Sequence, residues 1–191
     1  QYQYELIKNY LGEKILEVGP GSGKFAKIFL SHIAKEIHLT EINKNLHEQL
    51  DKEFQDKKKN IKIFSKKIEE INEKYDTICY FDVIEHIEDH ENEIKNALKK
   101  LNLNGNLIII VPAFSHLFSN YDKSIGHYRR YEKNFFKNFL IENDLICKKL
   151  SYFDSIGYFF LLMNKLITIK SNKRVSLGTF LWNLMVPISK I

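Results

Sequence analysis

The sequence predicts an α/β fold, a doubly wound and mostly parallel sheet with helices on both faces. Three observations lead there. Strand and helix signals alternate with little interruption. An apolar strand runs straight into a glycine-rich turn that opens a helix. Runs such as Leu107-Ile108-Ile109-Ile110-Val111 are apolar throughout, as strands covered on both faces are. At 191 residues the chain can bury one α/β domain and is too short for two ordinary ones.

The elements follow from periodicity and punctuation. The amphipathic pattern between Tyr4 and Tyr10 predicts a lead helix over 2–11. Ile15 to Val18 lies in a strand at 14–18, and Phe25, Ala26, Ile28, Phe29 and Leu30 give an apolar face to a helix over 22–32. Strand 36–40, helix 43–55, strand 61–64 and a short helical or irregular segment at 66–72 come next. Strand 76–81 and helix 88–101 follow, the helix stopping at Leu103-Asn104-Gly105-Asn106, where Gly105 can take the left-handed cap. Strand 106–111, helix 132–143 and strand 145–153 complete the alternation. No internal repeat or low-complexity tract interrupts it.

Beyond Phe153 the runs 157–163, Leu166-Ile167 and 177–188 read as helical. Asn164 and Lys165 break the first and Pro187 closes the last. Neither reaches the roughly 18–20 apolar residues that a membrane span needs. Residues 1–154 therefore read as one domain, and 155–191 as a truncated apolar segment. That segment serves as a lid over an acceptor pocket, a helix lying on a membrane surface, or a partner interface.

A hydrophobic content of 44% is globular and sets disorder aside. The formal charge is +5, with lysines on presumed helix faces (Lys95, Lys99, Lys100) and in a loop at Lys57-Lys58-Lys59. A solvated surface accounts for them better than a nucleic-acid footprint, and an anionic acceptor or membrane surface also suits this balance. Cys79 and Cys147 both fall in predicted strands, and free buried thiols fit a reducing cytoplasm. There is no signal peptide, and Gln1 is not a start, so the N-terminus reads as cut.

The chemistry begins at Glu17-Val18-Gly19-Pro20-Gly21-Ser22-Gly23. Alternating glycines let the backbone turn tightly and approach a ligand; a plain strand-to-helix turn is the structural alternative. The spacing is G-x-G-x-G, whereas a dinucleotide fingerprint would place its third glycine at the position held by Lys24. That counts against a nicotinamide-dependent oxidoreductase. Glu41 closes the second strand about 20 residues on, where an acid can accept both ribose hydroxyls. Strand 76–81 again ends in an acid, Asp82, followed by Val83-Ile84-Glu85-His86-Ile87-Glu88-Asp89.

Taken in this order, E-V-G-P-G-S-G, T-E and F-D-V-I-E-H-I-E-D resemble the motifs of class I S-adenosylmethionine-dependent methyltransferases. The resemblance implies a Rossmann-like domain over 1–154 with S-adenosyl-L-methionine as cofactor. It implies that Glu17 bonds the amino acid end of the cofactor, Gly19 and Gly21 give backbone access, and Gly23 lets the following helix pack closely. Glu41 would accept the ribose hydroxyls and Ile42 would cover the adenine. Asp82 and Val83 would line the pocket beside the methionine moiety, with His86 on its rim. A solvated strand-end acid at Glu41 and a capping or packing histidine at His86 are the structural alternatives. Members often carry an acid after the third strand for the adenine amino group; here Ser65-Lys66-Lys67-Ile68 stands instead, which leaves that contact to backbone near Lys67 and Ile68. The family's seventh, antiparallel strand is not found, so the sequence reads as a fragment. In the family's sheet order the strands of Cys79 and Cys147 are not neighbours, which argues against a disulfide.

Tyr121-Asp122-Lys123-Ser124-Ile125-Gly126-His127-Tyr128-Arg129-Arg130-Tyr131 follows the fifth predicted strand, at the sheet edge where acceptors enter such folds. So many polar groups are costly to bury without purpose. The G-H-Y-R-R-Y loop is similar to one in a methyltransferase subgroup often found with glycosyltransferases and with cell-envelope or glycan biosynthesis. His127 is the candidate general base on an acceptor hydroxyl, with Asp122 as its orienting partner. Arg129 or Arg130 could hold a phosphate or carboxylate of the acceptor. The alternative is a salt-bridged loop that pins the following helix, with Tyr131 packed beneath it. His116, Asp122 and His127 lack metal-ligand spacing, and no metal is expected. Phe81-Asp82-Val83-Ile84 stands where a base-methylating enzyme would carry (N/D)-P-P-(Y/F), so no nucleic acid is expected. The reading is a methyltransferase acting on a small-molecule, lipid-linked or glycan acceptor, at oxygen. A non-catalytic cofactor-binding or regulatory module on the same fold is the alternative, with a nucleic-acid methyltransferase behind it. The protein would be cytoplasmic, either free or peripheral at the inner face of a membrane through 155–188.

Overall fold

Five runs pair into one sheet: β1 (Lys14–Val18), β2 (Glu36–Thr40), β3 (Ile61–Phe64), β4 (Tyr75–Phe81) and β5 (Leu101–Ile110). The computed structural model describes residues 2–32, 35–57, 60–153, 157–159 and 161–163. It divides into two compact units, Gln1–Val111 and Pro112–Ile191. In the first, every strand pairing is parallel and the order is β3-β2-β1-β4-β5. The chain steps outward from β1 to β3, then returns to the other side of β1 for β4 and β5. With right-handed crossovers this reversal sends helices to opposite faces, a doubly wound Rossmann-like sheet.

Burial explains why the runs lack alternation. Ile15, Leu16, Ile37, Leu39, Ile78 and Tyr80 are all wholly buried. The helices α1 (Tyr2–Ile7), α2 (Lys24–His32), α3 (Lys44–Glu53) and α4 (His90–Lys99) are amphipathic covers. On α2, Phe29 is completely enclosed and Phe25 stacks on Phe81 of β4 with ring centroids 4.0 Å apart. Each such aromatic contributes about 1.5–3 kcal/mol of burial. Two N-caps set helix starts: Asn43 accepts from the amides of Asn45 and Leu46, and Asp89 from that of Asn92.

Three expectations need correction. First, β5 begins at Leu101, before the predicted 106, and its register against β4 jumps from Tyr75↔Leu101 to Thr77↔Asn106. Within that bulge it is Asn104, at φ 64°, that turns left-handed, and Gly105 does not. Gly105 is needed for closeness instead, since a Cβ there would lie 3.0–3.2 Å from the carbonyl oxygens of Asn102, Tyr75 and Asp76. Second, residues 145–153 form no strand. Ile146 is 89% exposed, and the segment makes no ladder pairing with any described strand. Third, only Cys79 is a buried strand thiol; Cys147 is exposed in that irregular segment, and both are free.

The second unit holds α5 (Asn120–Ser124) and α6 (Lys133–Glu142). A parallel bridge joins Ala113 to Tyr131, with Phe114 N–H donating to the Tyr131 carbonyl and Tyr131 N–H to that of Pro112. Tyr131 is buried against Phe135 and Phe136 of α6. Residues 157–159 and 161–163 are helical. The rest of 155–191, on which the lid or membrane reading falls, lies outside the described residues, as do Lys58 and Lys59. Among the described residues, no helix is long and apolar enough to cross a membrane.

A polar chain ties the opening ends of the strands. Wholly buried His38 meets the Tyr75 hydroxyl at 2.7 Å through Nδ1 and Glu36 Oε1 at 2.8 Å through Nε2. A carboxylate only accepts, so Nε2 carries the proton and Tyr75 donates to Nδ1. Hydrogen bonds from Lys62 and His38 hold the Glu36 carboxyl down at about 2, and burial lowers the His38 pKa. Both shifts have one sign: their stabilisation is present at neutral pH and lost on acidification. For Glu36 the loss falls between its ordinary value of 4.5 and about 2. Glu36→Gln should therefore lower stability at neutral pH by only about 1 kcal/mol, since water screens this partly exposed carboxylate. The variant should also flatten the acid limb of a thermal-denaturation series, and unchanged acid sensitivity would refute the assignment.

Candidate functional site

The reversal of strand order at β1 leaves the closing ends of β1, β2 and β4 side by side, and the buried acids Glu17 and Glu41 both lie there. Glu17, the fourth residue of β1, is 2% exposed. The Ala26 amide of α2 donates to its carboxylate, while Oε2 is buried with no hydrogen-bond partner. Burial pushes its pKa up to about 8, so the carboxyl is largely protonated at neutral pH. A buried acceptor of this kind is completed by a cationic or hydrogen-bond-donating ligand.

The three loop glycines differ in purpose, although all are left-handed, at φ 62°, 52° and 70° for Gly19, Gly21 and Gly23. A Cβ on Gly19 would meet Val83 at 2.8 Å, and one on Gly23 would meet the Phe54 ring at 2.6 Å. Gly19 thus lets the loops after β1 and β4 touch. Gly23 admits Phe54, just beyond α3, and Leu50 within it, so the close approach seen here is to α3 and not the expected one to the helix that follows. A Cβ on Gly21 would meet nothing within 4 Å. Gly21 alone leaves bare backbone facing open space.

After β2, Glu41 is buried and its Oε1 accepts from the Asn43 amide at 2.9 Å, which fixes the carboxylate. Ile42 beside it is 68% exposed. After β4, Asp82 sits at φ 55°, a strained conformation for a non-glycine residue, with its amide donating to the Ile110 carbonyl. Val83 leads into a 3-10 turn, Ile84–His86, that leaves His86 exposed. After β3, the Thr40 hydroxyl donates to the Lys66 carbonyl. The Lys67 amide donates to Glu70 at 2.7 Å, so this amide is already committed within its own turn.

In the second unit Asp122 is wholly buried and gathers the loop around itself. Its Oδ2 accepts from the amide and hydroxyl of Ser119 at 2.9 and 2.8 Å. Its Oδ1 accepts from Arg130 through Nε and Nη2, each at 2.8 Å, and lies 3.2 Å from His127 Nδ1. Burial alone would raise the Asp122 pKa, but the bonds from Ser119 and Arg130 outweigh it and hold it below the usual range. His127 therefore faces a carboxylate, which selects the tautomer with hydrogen on Nδ1 and leaves Nε2 able to accept. Arg130 is drawn to Asp122 and to the Ala113 carbonyl, while Arg129 lies over the Tyr128 ring. His116 instead meets the Tyr158 hydroxyl.

Sequence reasoning missed several supporting residues. Ser119-Asn120-Tyr121-Asp122 is a capping box, and its S-x-x-D pattern was there to be read. Asn43, ahead of the apolar pattern of α3, was a readable N-cap. The full burial of Glu85 had no such signal.

Comparison with known proteins agrees with this geometry. The profile of a family described as a methyltransferase domain matches residues 3–155. No curated protein matches the chain. Among solved structures, the YcgJ protein from Bacillus subtilis is similar at a TM-score of 0.61 and 18% identity, over 73% of this chain and 65% of that one. N-methyltransferase NodS from Bradyrhizobium japonicum, in complex with S-adenosyl-L-homocysteine, gives 0.58 and 17%, over 73% and 69%. Magnesium protoporphyrin IX methyltransferase (ChlM) from Synechocystis, with the same molecule bound, gives 0.59 and 15%, over 74% and 68%. At these identities the likeness is one of fold, and the chain spans just under two thirds of YcgJ.

The orphaned Oε2 of Glu17 has a measurable signature. Its raised pKa means the folded chain holds a proton that the unfolded chain releases above 4.5, so stability falls between 4.5 and about 8. Glu17→Gln should raise the stability of the ligand-free chain at neutral pH, on the order of 3 kcal/mol for a shift of this size. It should have little effect below pH 4.5. A destabilised variant at neutral pH, followed by thermal melting, would contradict this.

Proposed function

The chain belongs to this methyltransferase family, and from that premise we propose that it moves a methyl group from S-adenosylmethionine to an oxygen of a small-molecule, lipid-linked or glycan acceptor. The observation that carries the reading is Glu17 Oε2, a buried acceptor without a partner at the switch point of a doubly wound sheet. The residues fit the cofactor: Glu17 would take its amino group, and Glu41, fixed by Asn43, its ribose hydroxyls. Ile42 would cover the adenine, Asp82 and Val83 would line the methionine end, and His86 would stand at the rim. Gly21 supplies bare backbone on the open side. The bound cofactor supplies a methyl carbon on a cationic sulfur that leaves neutral.

The chain's own part is to orient, exclude water and manage one proton. Positioning of this kind is worth about 7–11 kcal/mol in favourable cases. In our reading His127 Nε2 takes the proton of the acceptor hydroxyl as that oxygen forms its bond to carbon. Asp122 holds the imidazole and stabilises its charged form. Arg130, one of the two arginines read as gripping the acceptor, becomes a positioning residue that keeps Asp122 ionised. Residues 1–154 serve as the cofactor domain and 155–191 as lid or membrane-facing segment. One observation favours a non-catalytic module: Ser119 and Arg130 already satisfy Asp122, and Tyr131 is packed under the loop.

Calorimetric titration separates these readings. S-adenosylhomocysteine should bind and NAD should not, and Glu41→Ala should weaken binding by about 1.5–3 kcal/mol. Failure of a folded chain to bind would overturn the cofactor assignment. With an acceptor in hand, Asp122→Asn and His127→Asn should lower kcat about 10²- to 10⁴-fold and leave cofactor affinity unchanged. Binding with no dependence of turnover on His127 would return the loop to a structural role.

A further inference from the structure

The second unit carries an open groove of about 930 Å³ between α6 and residues 145–150. One wall is a single helical face, since Lys133, Lys137, Leu140 and Ile141 follow the spacing i, i+4, i+7, i+8. The opposite face of α6 is the packed one, with Phe139 buried and Phe135 and Phe136 against Tyr131. Lys148 and Lys149 line the other wall, and Asp144 is the one acid of the lining. The apolar part of the lining is not sheltered: Ile141 is 79% exposed. Residues 155–191 then carry five lysines and arginines and no aspartate or glutamate.

We propose that this lysine-lined groove seats on the surface of an anionic lipid bilayer. The charge decides the sign of the partner, and exposed Ile141, with Leu140, Leu145 and Leu150 beside it, decides its kind. Lysine stems lie along apolar surface while their heads reach phosphate, and branched aliphatics between them enter the acyl boundary. The chain's own tail is a poor occupant, because its charge has the sign of the groove. A nucleic-acid strand would call for aromatic platforms, and the groove lining offers none. Glu142, the nearby acid on α6, does not line the groove. The inference is independent of the methyl-transfer reading, and would bring a lipid-linked acceptor to the enzyme's own surface.

The test is cosedimentation of the full chain with phosphatidylcholine vesicles, with and without phosphatidylglycerol. Binding should require phosphatidylglycerol and be released by high salt. Lys137→Ala and Lys148→Ala should each lower partitioning about five-fold, with circular dichroism verifying the fold. Cys147 gives a second readout that needs no variant, because it is exposed in the groove while Cys79 is buried. An environment-sensitive fluorophore on Cys147 should shift to the blue when anionic vesicles are added. Equal binding to neutral vesicles, no binding, or an unmoved fluorophore would overturn the proposal. So would binding of a DNA strand or an acidic protein that moves the fluorophore while vesicles do not. Cofactor titration reads the methyltransferase assignment separately, so either can fail alone.

Discussion

β1 is hydrogen-bonded in parallel on both sides, and the rest of the first unit depends on that placement. Its register sets Glu17 opposite Leu39 on one side and Cys79 on the other, and Val18 opposite Thr40 and Tyr80. The three strands therefore close at one level, and the Gly19 amide continues the pairing onto the Thr40 carbonyl at 2.9 Å. A slip of one residue would turn every side chain to the opposite face, moving Glu17 from its place beside α2.

Two ends of the same sheet handle polarity in opposite ways. At the opening end, Tyr75, His38 and Glu36 satisfy one another and Lys62 completes the chain. At the closing end, Glu17 is left with an orphaned oxygen, three glycines stand left-handed, and Asp82 is strained. Local instability concentrates where a ligand can relieve it, and satisfied networks lie where nothing needs to bind. The difference gives direction to a sheet whose two ends are otherwise built from similar strands.

Much of this was legible. Strands 14–18, 36–40 and 61–64 matched the structure residue for residue, because each carries a short apolar stretch between polar or turn-forming residues. The family and its cofactor could be read from three motifs in order, since each ends a strand at the same edge. What failed was local geometry that depends on a distant neighbour. Gly105 looked like a helix cap, but the carbonyls of Tyr75 and Asp76 dictate it. Residues 145–153 looked like a strand, but they are irregular and pair with none of the described strands. Arg130 looked available until Asp122, eight residues earlier, proved to be wholly buried.

The strand order also governs how the chain can be made. Synthesis delivers β1, β2 and β3 first, and these pair locally while one flank of β1 is still bare. Its partner for that flank, β4, begins only at Tyr75. Until then the nascent half presents a flat apolar edge, open to the wrong strand or to another chain. Closing it requires a long loop to be drawn shut, which makes this pairing a slow event in folding. The central position that gives the finished sheet its order is, during translation, the chain's most exposed liability.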